Sequence, residues 1–187
     1  MISVNPTLFH GAPADPRIEK EQATYTALTE MGIDFYRADH DPAATIEDCH
    51  TVETLLGAEI CKNLLLCNRQ ETEFYLLLMP GDKPFKTKDL SKQIGTARLS
   101  FASADHMEAL VNITPGSLSV MGLIFDKAHR VHLVIDKPLL EEEHLCCHPC
   151  INTSTLKIKT DDILHRFLPA LGFKPVIVDL PLPEEEA

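Results

Sequence analysis

The sequence predicts an α+β fold, a mixed sheet that is curled or closed, with helices packed outside. Three observations predict it. Two apolar runs, Leu64–Cys67 and Phe74–Met79, flank the polar turn Asn68–Glu73, the mark of a buried hairpin at the centre of a sheet. Helical and strand-like segments intermix without the steady βαβ alternation of a doubly wound sheet. Neither an internal repeat nor a long linker divides the 187 residues, so the expectation is one domain over 1–187, ending in a short disordered acidic tail at about 181–187.

Taken in order, Asp15-Pro16 reads as a helix start, with Ile18, Tyr25, Leu28 and Met31 on roughly one face and Gly32 as the stop. Phe35–Ala38 is a short strand. Thr45 is placed to cap a second helix, with Asp48 three positions on, and Gly57 near its end. After the hairpin, Pro80-Gly81-Asp82 is a turn, and Thr87 caps a helix that Gly95 closes. Leu99–Ala102 is a brief strand and Ser103 opens a helix toward Val111. The hydroxyl-rich stretch Thr114–Ser119 is a loop or strand edge leading into Val120–Phe125. Val131–Ile135 is a strand, Leu145–Ile151 another that Pro149 interrupts, and Leu156-Lys157-Ile158 alternates cleanly. Thr160 caps a last amphipathic helix (Ile163, Leu164, Phe167, Leu168, Leu171) that stops at Gly172, before a final strand, Pro175–Val178.

Composition narrows the function. A hydrophobic share of 44% and a charged share of 24% are those of a soluble globular chain. No stretch approaches a membrane span, and the N-terminus lacks a signal-peptide profile, so the expected location is cytoplasmic, with no membrane partner. Six cysteines without such a signal read as reduced thiols. A net charge of −11 repels nucleic acid at long range and argues against a DNA-binding role. It leaves room for a local grip on a nucleic-acid end, for which Lys83, Lys86, Lys88, Lys92 and Arg98 against Asp82 and Asp89 are the candidate patch. A solvated face is the simpler reading of that patch.

The common phosphate-loop, dinucleotide, nucleophile-elbow and HExxH motifs are missing, so neither an ATP-driven reaction nor a serine hydrolase has support. In Cys146-Cys147-His148-Pro149-Cys150 an extended backbone would turn Cys146, His148 and Cys150 to one face, a donor set that suits zinc. The spacing matches no standard zinc pattern and Pro149 breaks the geometry, so no metal and no cofactor are assigned. Lys62 opens an otherwise apolar strand. A lysine there either snorkels to water or acts on a ligand.

Four segments taken together carry a resemblance: CKNLLL around Lys62, MPGDKPFKTKDL, TPGSLSVMGL, and HPCINTSTLKI before the final helix. Over most of its length the chain resembles the YbaK/ProRS-type aminoacyl-tRNA editing domains, and among them the free-standing ProX/PrdX type. The resemblance implies a mixed β-barrel-like core and a trans-editing hydrolase. Its substrate would be mischarged tRNA, Ala-tRNA(Pro) first, with Cys-tRNA(Pro) deacylation or a non-catalytic module that binds an aminoacyl or tRNA end as alternatives. The partners implied are the tRNA acceptor end and prolyl-tRNA synthetase. By residue match Lys62 is the essential lysine, Asn63 its pocket neighbour, Gly116 the start of the glycine loop, and His148 the histidine that places the acceptor end. Ser117, Ser119, Asn152 and Thr153 join them as substrate-binding candidates. The family loop is commonly GxxxP, and Val120 stands where that proline would be.

An already activated ester needs a positioned water and a stabilised oxyanion rather than a covalent nucleophile. A lysine ammonium and backbone amides near Gly116 suit that task, and His148 is either a general base or a structural histidine.

Overall fold

In the computed structural model, which describes residues 2–43 and 46–182, two sheets meet at a single seam. The first has four antiparallel strands in the order β1 (Phe9–His10), β2 (Phe35–Asp39), β8 (Ser154–Lys159), β7 (His144–Cys147). The second has five, in the order β5 (Ser100–Phe101), β3 (Lys62–Cys67), β4 (Phe74–Met79), β6 (Val131–Asp136), β9 (Val176–Val178). Here β3 is antiparallel to β4 and β5, whereas β4–β6 and β6–β9 are parallel. The predicted α+β class and mixed pairing are present, but as two sheets rather than one curled or closed sheet. A parallel bridge between Ile60 and Cys146, with Cys61 N donating to Cys146 O at 3.0 Å, joins them.

The hairpin forms because its turn is prebuilt. Asn68 Oδ1 accepts from the main-chain amides of Thr72 and Glu73, which closes the loop in the register Lys62↔Met79 through Cys67↔Phe74. Both faces of β4 are covered, which explains its unbroken apolar run: Phe74, Leu76, Leu77, Leu78 and Met79 are all buried. On one face lies the main core, with Leu65, Leu76, Leu156 and Phe167; on the other Leu66, Leu77, Leu90 and Val134 form a second layer.

Helix α1 (Glu19–Glu30) buries Tyr25 and Leu28 as predicted, but Ile18 is its extended cap and is half exposed. Asp15-Pro16 is therefore not the helix start; Arg17 pairs with Asp39 at 2.8 Å and draws the preceding segment toward β2. Helix α2 (Ile46–Leu56) ends at Gly57, and its predicted cap Thr45 lies outside the described residues, as does the tail from 183 on. Thr87 is the first residue of α3 (Thr87–Ile94) rather than its cap, with Gly95 left-handed at the far end. Ser103 caps α4 (Ala104–Val111) by accepting from His106 N.

Two expectations shift, and the run from Val120, to which the sequence assigns no element, acquires one. Val120–Ile124 is a 3₁₀ turn, buried throughout. The strand predicted over 145–151 stops at Cys147, because His148–Cys150 turns, with Cys150 at φ +62°. Thr160 is the first helical residue, its amide held by Glu143 O, and the C-terminal helix over 160–171 contains a π-turn at Ile163–Phe167 before Gly172 ends it. Among the described residues no helix is long and apolar enough to cross a membrane.

Candidate active site

The seam builds the site. Because Ile60 bridges Cys146, the first residue of β3 and the first residue after β7 emerge side by side, and Lys62 and His148 line one cavity of about 810 Å³. The cavity exists because β5 is short. It pairs with β3 only at Leu66 and Cys67, with one further bond from Ala102 N to Leu65 O, and leaves the Lys62–Leu64 edge open. Strand alternation directs the Asn63 amide and carbonyl to that open side, as it does those of Leu65.

Lys62 Nζ donates to the main-chain carbonyl of Lys83 at 2.8 Å, which leaves two of its three N–H groups for a ligand. The loop that supplies this carbonyl is pinned twice. Lys83 Nζ is buried against Asp136 Oδ2 at 2.7 Å, and Asp136 Oδ1 accepts from Leu180 N at 2.9 Å. At Gly81 the loop passes so close to β3 that a Cβ would lie 2.5 Å from Ile60 O. Lys83 is therefore a buried structural ion and not part of a surface patch; Lys86, Lys88, Lys92 and Arg98 remain exposed.

Asn63 donates to Cys61 O at 3.1 Å, while its Oδ1 is buried and accepts no hydrogen bond from the protein. An acceptor left so typically costs about 1–3 kcal/mol. Gly116 lies in the turn Thr114–Ser117, closed by Ser117 N to Thr114 O at 3.1 Å. Pro115 sits at the second position and Gly116 at the third with φ +87°, the type II arrangement that demands glycine. Pro115 and Gly116 face the cavity.

His148 Nδ1 is 2.9 Å from Ser154 O, which can only accept, so Nδ1 carries the proton and Nε2 keeps its lone pair. Burial, the largest cause, and the nearby His40 lower its pKa to about 4 despite that carbonyl, so the ring is neutral at pH 7. Thr155 Oγ1 bridges His148 Nδ1 at 3.3 Å and His40 Nε2 at 2.9 Å, and His40 Nδ1 is tied to Asp41 O at 2.7 Å. A weak general base results, but a well-oriented neutral acceptor.

The other four candidates do not line the cavity, although the Asn152 side chain stands behind Gly116, its Nδ2 3.7 Å from where a Cβ there would lie. Ser117 is buried behind the turn. Ser119 Oγ caps the 3₁₀ turn by accepting from Met121 N. Asn152 O and Thr153 O accept from Ala43 N and His40 N, so they hold the 40–43 segment. Cys146 packs under α2, Cys150 turns into the main core and His148 lines the cavity, so the three expected donors do not share a face. Among the described residues no cluster able to hold a metal is found. Burial pushes the Cys61 thiol up to about 11, Cys147 well above its ordinary value and Cys49 upward as well, so none of these three cavity thiols is a thiolate nucleophile near neutral pH. Sequence reasoning missed the Lys83–Asp136 pair, although a carboxylate closing the apolar run VHLVID is its visible signal.

The profile of the aminoacyl-tRNA editing domain matches residues 40–165, about two thirds of the chain. The chain belongs to that family. This editing domain is 30% identical over 146 residues to the prolyl-tRNA editing protein ProX of Acetoanaerobium sticklandii, covering 78% of this chain and 89% of the relative. It is 28% identical over 169 residues to prolyl-tRNA synthetase associated domain-containing protein 1 of Danio rerio, covering 89% of each. In fold it is similar to the crystal structure of a candidate trans-editing enzyme for prolyl-tRNA synthetase, with a TM-score of 0.66 at 16% identity over 90% of this chain and all of that one. Within the editing domain, Val120 occupies the first position of the 3₁₀ turn, where a proline is equally accommodated, so the departure from GxxxP keeps the turn.

Proposed function

We propose that this editing domain is a trans-editing hydrolase that deacylates mischarged tRNA, with Ala-tRNA(Pro) as substrate, acting in the cytoplasm alongside prolyl-tRNA synthetase. The observation that carries the reading is the convergence of Lys62, Asn63, Gly116 and His148 on one largely apolar cavity, with a cation held at its polar end. The names of the ProX relative and of the structural neighbour support the same reaction class.

The chemistry follows from what the cavity offers. Water adds to the ester carbonyl, negative charge gathers on the carbonyl oxygen, and the bond to the ribose 3′-oxygen breaks. Lys62, with two free N–H groups, stabilises that charge or the adjacent phosphate, and the open-edge amide of Asn63 adds a neutral donor; one such contact is typically worth about 3–4 kcal/mol of barrier. The water's proton passes to the departing 3′-oxygen. His148 Nε2 orients the water as an acceptor without taking a lasting charge. The main-chain carbonyl of Asn63, on the open edge of β3, accepts from the substrate's α-ammonium or 2′-hydroxyl. The three lining thiols, Cys49, Cys61 and Cys147, are protonated and do not serve as covalent nucleophiles.

The test is hydrolysis of Ala-, Cys-, Ser- and Pro-tRNA(Pro) by the purified chain. The expected outcome is fastest release of alanine with Pro-tRNA(Pro) spared. Preference for Cys-tRNA(Pro) would reassign the substrate, and no turnover on any of them would replace the hydrolase with a binding module.

A further inference from the structure

We infer that Phe101 is the stacking platform for the terminal nucleobase of the acceptor end, a proposal that rests on the reading that this cavity receives an aminoacyl-tRNA. Phe101 is 60% exposed, and the other seven phenylalanines are buried or half-buried. It lies on the cavity wall, on the two-residue strand β5 opposite Leu66. Leu66 is four residues along β3 from Lys62, about 13 Å at the rise of a strand, a span that the ribose of one nucleotide and a lysine side chain cover together.

The ring is pre-organised. Phe85 meets it edge-to-face with centroids 6.2 Å apart at 69°, and Phe85 itself packs on the buried Leu66–Leu90 layer. One face of an exposed, oriented ring offers what base stacking needs, and stacking tolerates any base. Charge complements it. In a chain of net −11, the exposed Lys86, Lys88, Lys92 and Arg98 cluster around α3 and the start of β5, against Asp82 and Asp89. Cations beside an exposed aromatic suit a short stretch of single-stranded phosphodiester rather than an apolar protein partner.

The chain contains no tryptophan, so Phe101→Trp places a unique fluorophore on the platform. Titration of that full-length variant with the trinucleotide CCA is expected to quench its emission saturably, while ribose 5-phosphate, which has no base, does not. Adenosine monophosphate is expected to bind more weakly than CCA, because its single phosphate reaches less of the cation cluster than the two linkages of CCA. In deacylation of Ala-tRNA(Pro), Phe101→Ala is expected to raise KM about 5- to 150-fold, the range of one lost base stack, with kcat little changed. Phe101→Tyr is expected to restore KM. An unquenched tryptophan, an unchanged KM in Phe101→Ala, or monophosphate binding as tight as CCA would each overturn the acceptor-end platform. Quenching needs no turnover, so quenching by CCA in a chain that hydrolyses none of the four substrates would leave the platform standing and remove only the hydrolase.

Discussion

The ammonium of Lys62 donates its 2.8 Å hydrogen bond to the main-chain carbonyl of Lys83, whose own ammonium is buried against Asp136. One lysine is thus held at the cavity by the backbone of another, and the second is fixed by a carboxylate at the end of strand β6. Position of the reactive cation and stability of the five-stranded sheet are coupled through a single loop.

Removing the first cation should separate activity from stability. Lys62→Ala is expected to cut single-turnover deacylation of Ala-tRNA(Pro) by about 10²–10³-fold, the usual loss of one charge-stabilising contact. Lys62 is only half-buried, so its melting temperature should stay close to that of the parent chain. A rate within twofold of the parent would remove Lys62 from the reaction.

Removing the second cation should do the reverse first. Lys83→Met leaves Asp136 buried and unpaired, which typically costs about 3–5 kcal/mol. For a chain of this size that is a fall in melting temperature of roughly 6–20 °C. Replacing both partners, Lys83→Met with Asp136→Leu, should recover much of the loss. Thermal denaturation of the three variants decides, and additive losses would show the pair is not coupled.

Gly81 and Gly116 should differ in kind. A Cβ at Gly81 meets the Ile60 carbonyl at 2.5 Å, so Gly81→Ala must displace the loop that holds Lys62. At Gly116 the new Cβ has room, with Asn152 Nδ2 at 3.7 Å, and the cost is the left-handed backbone at φ +87°, about 1–2 kcal/mol. Both variants should lose stability, but Gly81→Ala should lose more kcat. The comparison fails if Gly116→Ala is the more damaged in kcat.

The neutral imidazole of His148 sets two pH dependences. Its folded pKa, about 4, lies below the ordinary value near 6.5, so between these values the unfolded chain binds more protons than the folded one. Stability contributed by the neutral ring is complete above about 6.5 and is lost as pH falls toward 4. His40, also lowered by burial, acts in the same direction. Chemical denaturation at a series of pH values should show this loss shrink in His148→Gln. The deacylation rate, corrected for spontaneous ester hydrolysis, should show no inflection from His148 between pH 5.5 and 8. An inflection near 6.5 that disappears in His148→Gln would restore the general-base role.

Local chemistry made much of this protein legible before any tertiary structure. The hairpin is written in its two apolar runs and Asn68 turn, helix ends in Gly57, Gly95 and Gly172, and the capping serine in Ser103. These depend on neighbours within a few residues, so residue type and spacing suffice. Lys62, Asn63, Gly116 and His148 were also legible as a set, through their resemblance to a family. Where the chain was misread, a distant partner decided. Arg17 reaching Asp39 delays α1, and closure of β3 against a short β5 opens the cavity. Lys83 joins a basic run on paper, yet Asp136, 53 residues away, takes it into the interior. Ser117, Ser119, Asn152 and Thr153 stand within a few residues of Gly116 or His148 in sequence but do not line the cavity, Asn152 reaching only the back of Gly116. Adjacency along a chain does not set side-chain direction; pairing between sheets does. The bridge from Ile60 to Cys146, invisible in either segment alone, brings the lysine and the histidine to one cavity, because only the meeting of two sheets closes the distance between them.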